Sequence, residues 1–304
     1  MSWRIGIVGF GKIAQDQHLP AIAADRAFEL AGVVDPRGCA LDGVPRFADH
    51  RAMLAALPDL DAVAICTPPA PRYAIARDCL LAGKQVLLEK PPAATLSEVE
   101  DLERLAAAPG RVLFATWHSR YAPAVEEARR RLTGQVVRRM RINWKEDVRR
   151  WHPGQRWIWD AGGFGVFDPG INALSIVTHI MPVPLFVRRA TLHVPSNADT
   201  PIAADLDLGK GYEAAFDWRQ TGDQIWEIEA QTDGATLRIV GGGARLEVDG
   251  VPVVDEARAE YPAIYRRFDE LLSAGQSEVD AAPLRLVADA FMIGRRRPVD
   301  RFDD

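Results

Sequence analysis

The chain has 304 residues, 48% of them apolar and 26% charged, with a net charge of −5. That length exceeds one ordinary core and suits two domains, while the acidic balance argues against a polyanionic partner such as nucleic acid. No apolar run is long enough to span a bilayer, and the N-terminus MSWRIGIVGFG enters a strand without an export signal, so a cytoplasmic protein with no membrane partner is expected. Three cysteines, Cys39, Cys66 and Cys79, lack metal-ligand spacing; no metal is expected. The clusters 129–131, 138–141 and 295–297 of arginine-rich sequence read as solvated helix faces.

The first strand, Arg4 to Val8, runs into Gly9, Phe10, Gly11, Lys12, Ile13 and Ala14 at the mouth of a helix. This G-x-G-x-x-A pattern is a dinucleotide fingerprint: one glycine for the turn, a second for close approach of the pyrophosphate, and a small residue for tight packing. A second strand, Leu30 to Val34, ends at Asp35, the offset of a ribose-binding acid; the competing reading is a turn residue before Pro36. Asp35 favours NAD, whereas Arg37 would attract the extra phosphate of NADP, and NAD is the preferred cofactor. A helix over 49–57, a strand over 62–66, a helix over 72–81 and a strand over 85–88 continue the alternation of a parallel sheet. Thr67 and Pro68 either line the dinucleotide or simply begin the next helix.

The strand over 85–88 delivers Glu89, Lys90, Pro91 and Pro92. A lysine at such a strand end points to the ligand crevice of an open α/β sheet and is the best catalytic candidate, although alone it would read as a surface residue. Thr95 and Glu98 form a capping-box pattern, a strand follows over 112–115, and the first domain is set at 1–120. Residues 121–304 then show a helix over 123–132, seven alternating strands between 136 and 248, and helices over 261–273 and 283–295. The expected fold is a Rossmann doubly wound parallel sheet followed by an α+β domain with a mainly antiparallel open sheet. The segment 283–296 is expected to pack back on the first domain.

Asn143 to Gly154, with Trp157 and Trp159, holds four of the eight tryptophans beside Glu146, His152 and several arginines. Flat rings such as Trp151 and Trp159 interleaved with polar groups suit a polyhydroxylated ligand; a tryptophan-rich core corner is the competing reading. Downstream, Asp168 and Asn172 sit four residues apart, on one face of a helix, with Asp168 also readable as its N-cap and Pro169 as the first helical residue.

Taken together, the fingerprint, the Glu89-Lys90-Pro91 tripeptide and the Gly162, Gly163, Asp168, Asn172 segment resemble the Gfo/Idh/MocA oxidoreductases over essentially the whole chain. Asn172 stands where that family usually has histidine, and the segments WKEDVRRWHPGQ and GVFDPGINALSIVTH look like its bacterial D-galactose and L-arabinose 1-dehydrogenases. The resemblance implies Lys90, Asp168 and Asn172 as active-site residues, Glu146 and His152 as sugar contacts, Glu89 and Lys90 near the cofactor, and a homo-oligomer. It implies hydride transfer from C1 of an aldopyranose to NAD or NADP. Oxidation of another polyol or an inositol, and a noncatalytic dinucleotide-binding sugar sensor, are the alternatives.

Overall fold

The computed structural model describes residues 2–36, 38, 41–257 and 259–303; Arg37 and Cys39 lie outside the described residues. The chain divides into two compact units, Met1–His118 with Glu260–Ala281, and Ser119–Ala259 with Ala282–Asp304.

In the first unit, β1 (Trp3–Val8), β2 (Phe28–Val34), β3 (Arg46–Phe47), β4 (Ala62–Ile65), β5 (Gln85–Leu88) and β6 (Leu113–Ala115) form one parallel sheet in the order β3-β2-β1-β4-β5-β6. Its central strands are nearly unbroken apolar runs because helices cover both faces. Accordingly, Ala62 to Ile65 and Val86 to Leu88 are wholly buried. The helices α1 (Leu19–Ala24), α2 (His50–Ala56), α3 (Pro69–Leu81) and α4 (Leu96–Ala106) alternate with the strands. Thr95 and Glu98 close the expected capping box at the start of α4. Chain order reverses where β1 lies between β2 and β4, the switch point outside which such sheets bind ligands.

The second unit begins with α5 (Pro123–Leu132), then β7 (Val137–Lys145), the short α6 (Val148–Trp151) and α7 (Phe167–Ile180). It continues through β8 (Arg189–Pro195), β9 (Ala203–Gly209), β10 (Tyr212–Asp217), β11 (Ile225–Thr232), β12 (Thr236–Val240), β13 (Arg245–Val248) and β14 (Val251–Asp255). After α8 (Glu260–Ala274) and α9 (Ala282–Ile293), β15 (Arg295–Val299) completes a nine-stranded sheet ordered β14-β13-β12-β11-β7-β10-β9-β8-β15. Pairing is antiparallel except for β10 with β7 and β15 with β8. One face packs on α7, whose side chains are buried almost all round.

Three expectations need correction. The helix that returns to the first unit is α8, not the segment 283–296. Its stripe of Tyr261, Ile264, Tyr265, Phe268 and Leu272 is buried, Phe268 stacks on Phe28 and Phe114, and Trp3 Nε1 donates to Asp269 Oδ1 at 2.8 Å. By contrast, α9 buries Leu284, Leu286, Val287 and Ala290 in the second unit, where Phe291 meets Phe167 at 5.3 Å. Second, Arg138 to Arg141 and Arg295 to Arg297 lie on strands β7 and β15, and only Arg129 to Arg131 occupy a helix face, paired with Glu126 and Glu127. Third, α7 starts at Phe167 with Val166 at its cap, so Asp168 is in the first turn rather than the cap and Pro169 is third. Proline is tolerated there because the first helical N–H groups have no intrahelical partner.

Candidate active site

The turn after β1 is built for close approach. Gly9 has φ +92°, and a Cβ there would meet the Thr67 backbone nitrogen at 2.8 Å. Ala14 is fully buried, and the chain leaves the fingerprint through a π-helical turn, Ala14–His18, before α1. Asp35 ends β2 and is 1% exposed; its backbone N–H donates to Phe47 O at 3.3 Å and its carbonyl accepts from Arg46 at 3.1 Å. The Thr67 hydroxyl oxygen is buried with no hydrogen-bond partner. A glycine-only turn, an orphaned hydroxyl and an acid at the next strand end fit a dinucleotide's phosphates and ribose. The rest of the fingerprint contributes unequally. Phe10 turns its ring into the core while its carbonyl accepts from Gln15; Lys12 is exposed and paired with Asp16; Ile13 and Pro68 are exposed.

Behind Lys90 lies a buried polar network that the sequence did not announce. Glu89 is 4% exposed: its Oε1 accepts from the Tyr261 hydroxyl at 2.6 Å and pairs with His18 Nε2 at 3.0 Å, while its Oε2 accepts from the Lys90 N–H at 3.0 Å. His18 Nδ1 lies 2.8 Å from the Tyr265 hydroxyl. The buried Arg72 donates to the carbonyls of Glu89 at 2.6 Å, of Pro91 and of Thr67. Burial works against charge on Glu89, but the His18 hydrogen bond and charge, with His118 and Tyr261, hold its carboxyl far below the usual range. Burial likewise works against a charged His18, and the surrounding Cys66, Tyr265 and Glu89 outweigh it, holding the imidazole well above its ordinary value. Burial pushes the Tyr265 phenol up to about 12. Both oxygens of Glu89, a residue expected near the cofactor, are engaged by partners within the protein. Arg72, read only as the start of a helix, carries no distinguishing sequence signal.

In the second unit, β7 ends at Lys145 and delivers Glu146 into a ring of tryptophans. Glu146 is 7% exposed, accepting from Trp218 Nε1 at 3.2 Å and Trp226 Nε1 at 2.9 Å. Trp226 faces Trp144 across the β7–β11 register and packs on Trp151 at 5.7 Å. Trp218 packs on His152 at 5.3 Å and on the buried Trp159 at 5.4 Å. His152 Nε2 lies 3.3 Å from Asp168 Oδ2, Asp168 is 6% exposed, and Asn172 is half-buried one turn further along α7. Gly165, at φ +52°, lets the chain pass Pro201 O, which a Cβ would approach to 2.4 Å, and so sets where α7 begins. Glu146, Trp151, His152, Trp159 and Asp168 therefore form one linked cluster, as the sequence suggested. Trp218 and Trp226, remote in sequence at the end of β10 and on β11, complete it and were missed. Their only signal was two tryptophans near adjacent strand ends. Among the described residues no group of three or more His, Cys, Asp or Glu could hold a metal ion, and no helix is long and apolar enough to cross a membrane.

A doubly wound sheet with a phosphate-cradling turn, joined in one chain to an open mixed sheet carrying carboxylate, imidazole and indole groups, defines a dinucleotide-dependent oxidoreductase class. Residues 3–116 match the family model described as oxidoreductase family, NAD-binding Rossmann fold. The chain belongs to the Gfo/Idh/MocA oxidoreductase family. It is 47% identical to a galactose 1-dehydrogenase of Pseudomonas fluorescens over 307 residues, 99% of each chain. The crystal structure of a D-galactose-1-dehydrogenase from Rhizobium etli superposes with a TM-score of 0.94 at 53% identity, covering 100% of this chain and 99% of that one. A 3-ketoreductase from Actinomadura kijaniata, solved with NADP, shares the fold alone, with a TM-score of 0.81 at 19% identity over 98% of this chain and 100% of that one.

Proposed function

We propose that the protein oxidises an aldopyranose, D-galactose or L-arabinose, at C1 and yields the aldonolactone. The observation that carries this reading is the cluster of Glu146, His152 and Asp168 walled by tryptophans, in a chain so similar to galactose 1-dehydrogenases along its full length. Indole faces pack on sugar C–H bonds while the polar groups satisfy hydroxyls. Asp168 takes the proton of the anomeric hydroxyl as the C1 hydride departs, and Lys90 is the second catalytic group. The nicotinamide, when bound, supplies the hydride acceptor. Asn172 cannot accept a proton at working pH and instead aligns the sugar by donating and accepting hydrogen bonds. An anomeric hydroxyl is more acidic than an ordinary secondary alcohol, so a carboxylate in place of the usual histidine suffices. Gly9, Gly11, Thr67 and Asp35 hold the dinucleotide, and Asp35 favours NAD over NADP by repelling a 2′-phosphate.

In the same reading the protein works in the cytoplasm as a homo-oligomer, the open face of the nine-stranded sheet serving as the interface. The test is absorbance of reduced cofactor against a panel of aldoses and polyols with NAD and NADP. Turnover should be confined to galactose- and arabinose-like aldoses; an inositol or dihydrodiol as the best substrate would refute the assignment. Lys90→Ala should bind dinucleotide yet lose turnover by orders of magnitude, and Asn172→Ala should raise the sugar KM.

A further inference from the structure

We propose that Glu89 is a positioning residue for Lys90, acting from beneath it, and that it makes no contact with the dinucleotide. The proposal rests on the reading of Lys90 as catalytic. Three donors converge on the Glu89 carboxylate: the Tyr261 hydroxyl, His18 Nε2 and the Lys90 N–H. A carboxylate accepts at both oxygens and donates at neither, so it alone among side chains of this length meets three donors at once. Arg72 holds the carbonyls on either side, those of Glu89 and Pro91.

The lysine's backbone is thus fastened at three points, its own N–H and the carbonyls of Glu89 and Pro91, by side chains that are themselves buried. The fastening groups come from distant parts of the unit: His18 from the turn after the fingerprint, Arg72 from α3, and Tyr261 from α8. Arg72 also grips the carbonyl of Thr67, whose hydroxyl is orphaned beside Gly9. One guanidinium therefore ties the strand end that lines the dinucleotide cradle to the strand end that carries the lysine. Lysine has four rotatable side-chain bonds, and its amine reaches a reproducible point only if its Cα is fixed. A misplacement of about 1 Å at a reacting group costs on the order of a hundredfold in rate. Charge opposition inside the network supports the same assignment, since the shared environment favours ionised Glu89 beside protonated His18.

The experiment is a double-substitution cycle in the full-length protein. Glu89→Gln places an amide NH2 against a donor, and it should lower kcat at saturating substrates at least tenfold. The dissociation constant for the dinucleotide, measured by calorimetry, should change less than threefold. Introduced into Lys90→Ala, the same substitution should alter the residual kcat less than twofold, because its effect passes through the lysine. A tenfold weaker dinucleotide affinity with kcat intact would make Glu89 a cofactor contact and overturn the proposal, as would equal kcat losses in both backgrounds. Wild-type kcat in Lys90→Ala would instead overturn the catalytic reading of Lys90, and the positioning role with it. Should Glu89→Gln fail to fold, Tyr261→Phe removes one donor: a kcat loss of threefold or more with unchanged dinucleotide affinity is expected, and wild-type kcat in the folded variant refutes the idea.

Discussion

Replacing Glu146 by glutamine should destabilise the second unit by about 2 kcal/mol, through hydrogen bonds alone and with almost no change of volume. In the wild type the two carboxylate oxygens accept from Trp218 and Trp226 at 3.2 and 2.9 Å. Hydrogen bonds to a charged acceptor contribute roughly 1.5–3 kcal/mol each, and an unsatisfied buried donor costs roughly 1–3 kcal/mol. Glutamine keeps one acceptor oxygen and turns an NH2 on the other indole. Trp218 is 0% exposed, so water cannot reach its N–H, whereas Trp226 is only partly buried. The amide oxygen should therefore face Trp218, leaving Trp226 to find water, which holds the loss near the low end of the range. Trp226→Phe removes the stranded donor, so the combined variant should be less damaged than the sum of the singles, by about 1 kcal/mol. Urea unfolding followed by circular dichroism measures all three. A Glu146→Gln loss below about 0.5 kcal/mol, or strict additivity with Trp226→Phe, would refute the bracketing of the carboxylate by both indoles.

Gly9→Ala forces a Cβ to within 2.8 Å of Thr67 N at φ +92°, and should cost about 1–3 kcal/mol while weakening dinucleotide binding at least tenfold; unchanged calorimetric affinity would refute the cradle. The buried His18 keeps its proton to higher pH in the folded state, so its stabilisation is complete below about pH 6.5 and declines as pH rises, by at most about 1.4 kcal/mol per pH unit. Glu89 behaves oppositely: its contribution is complete above about pH 4.3 and is lost as pH falls. The stability gap between wild type and His18→Asn should therefore be wider at pH 6 than at pH 8.5 in urea titrations, and a constant gap would contradict the ion pair. Asp35→Ser should lower the ratio of kcat/KM for NAD over NADP by an order of magnitude or more, and an unaltered ratio would remove Asp35 from cofactor choice.

Local chemistry made much of this protein legible in one dimension. The apolar run of β1, the glycine turn, the acid closing β2 and the capping box of α4 each depend on neighbours within a few residues. Such features leave a pattern in the letters because the backbone itself requires them. Glu146 and His152 were readable together because they flank one short helix, α6, whereas Asp168, on α7, joins them through packing and was expected beside them only from the family resemblance. Long-range pairing left no such trace. Arg72 and His18 look like ordinary helix residues until the sheet brings β4 and β5 side by side and α8 lays its tyrosines across the network. Which terminal helix returns to the first unit is equally illegible in one dimension: α8 and α9 both carry apolar stripes, and the choice lies in the shape of Phe28 and Phe114 that Phe268 fills. Trp218 and Trp226 likewise reach Glu146 only through strand register, which sets residues more than seventy positions apart beside one carboxylate. A linear code records what the adjacent backbone demands, whereas partners assembled by packing are chosen by complementary surfaces that no short stretch of chain contains.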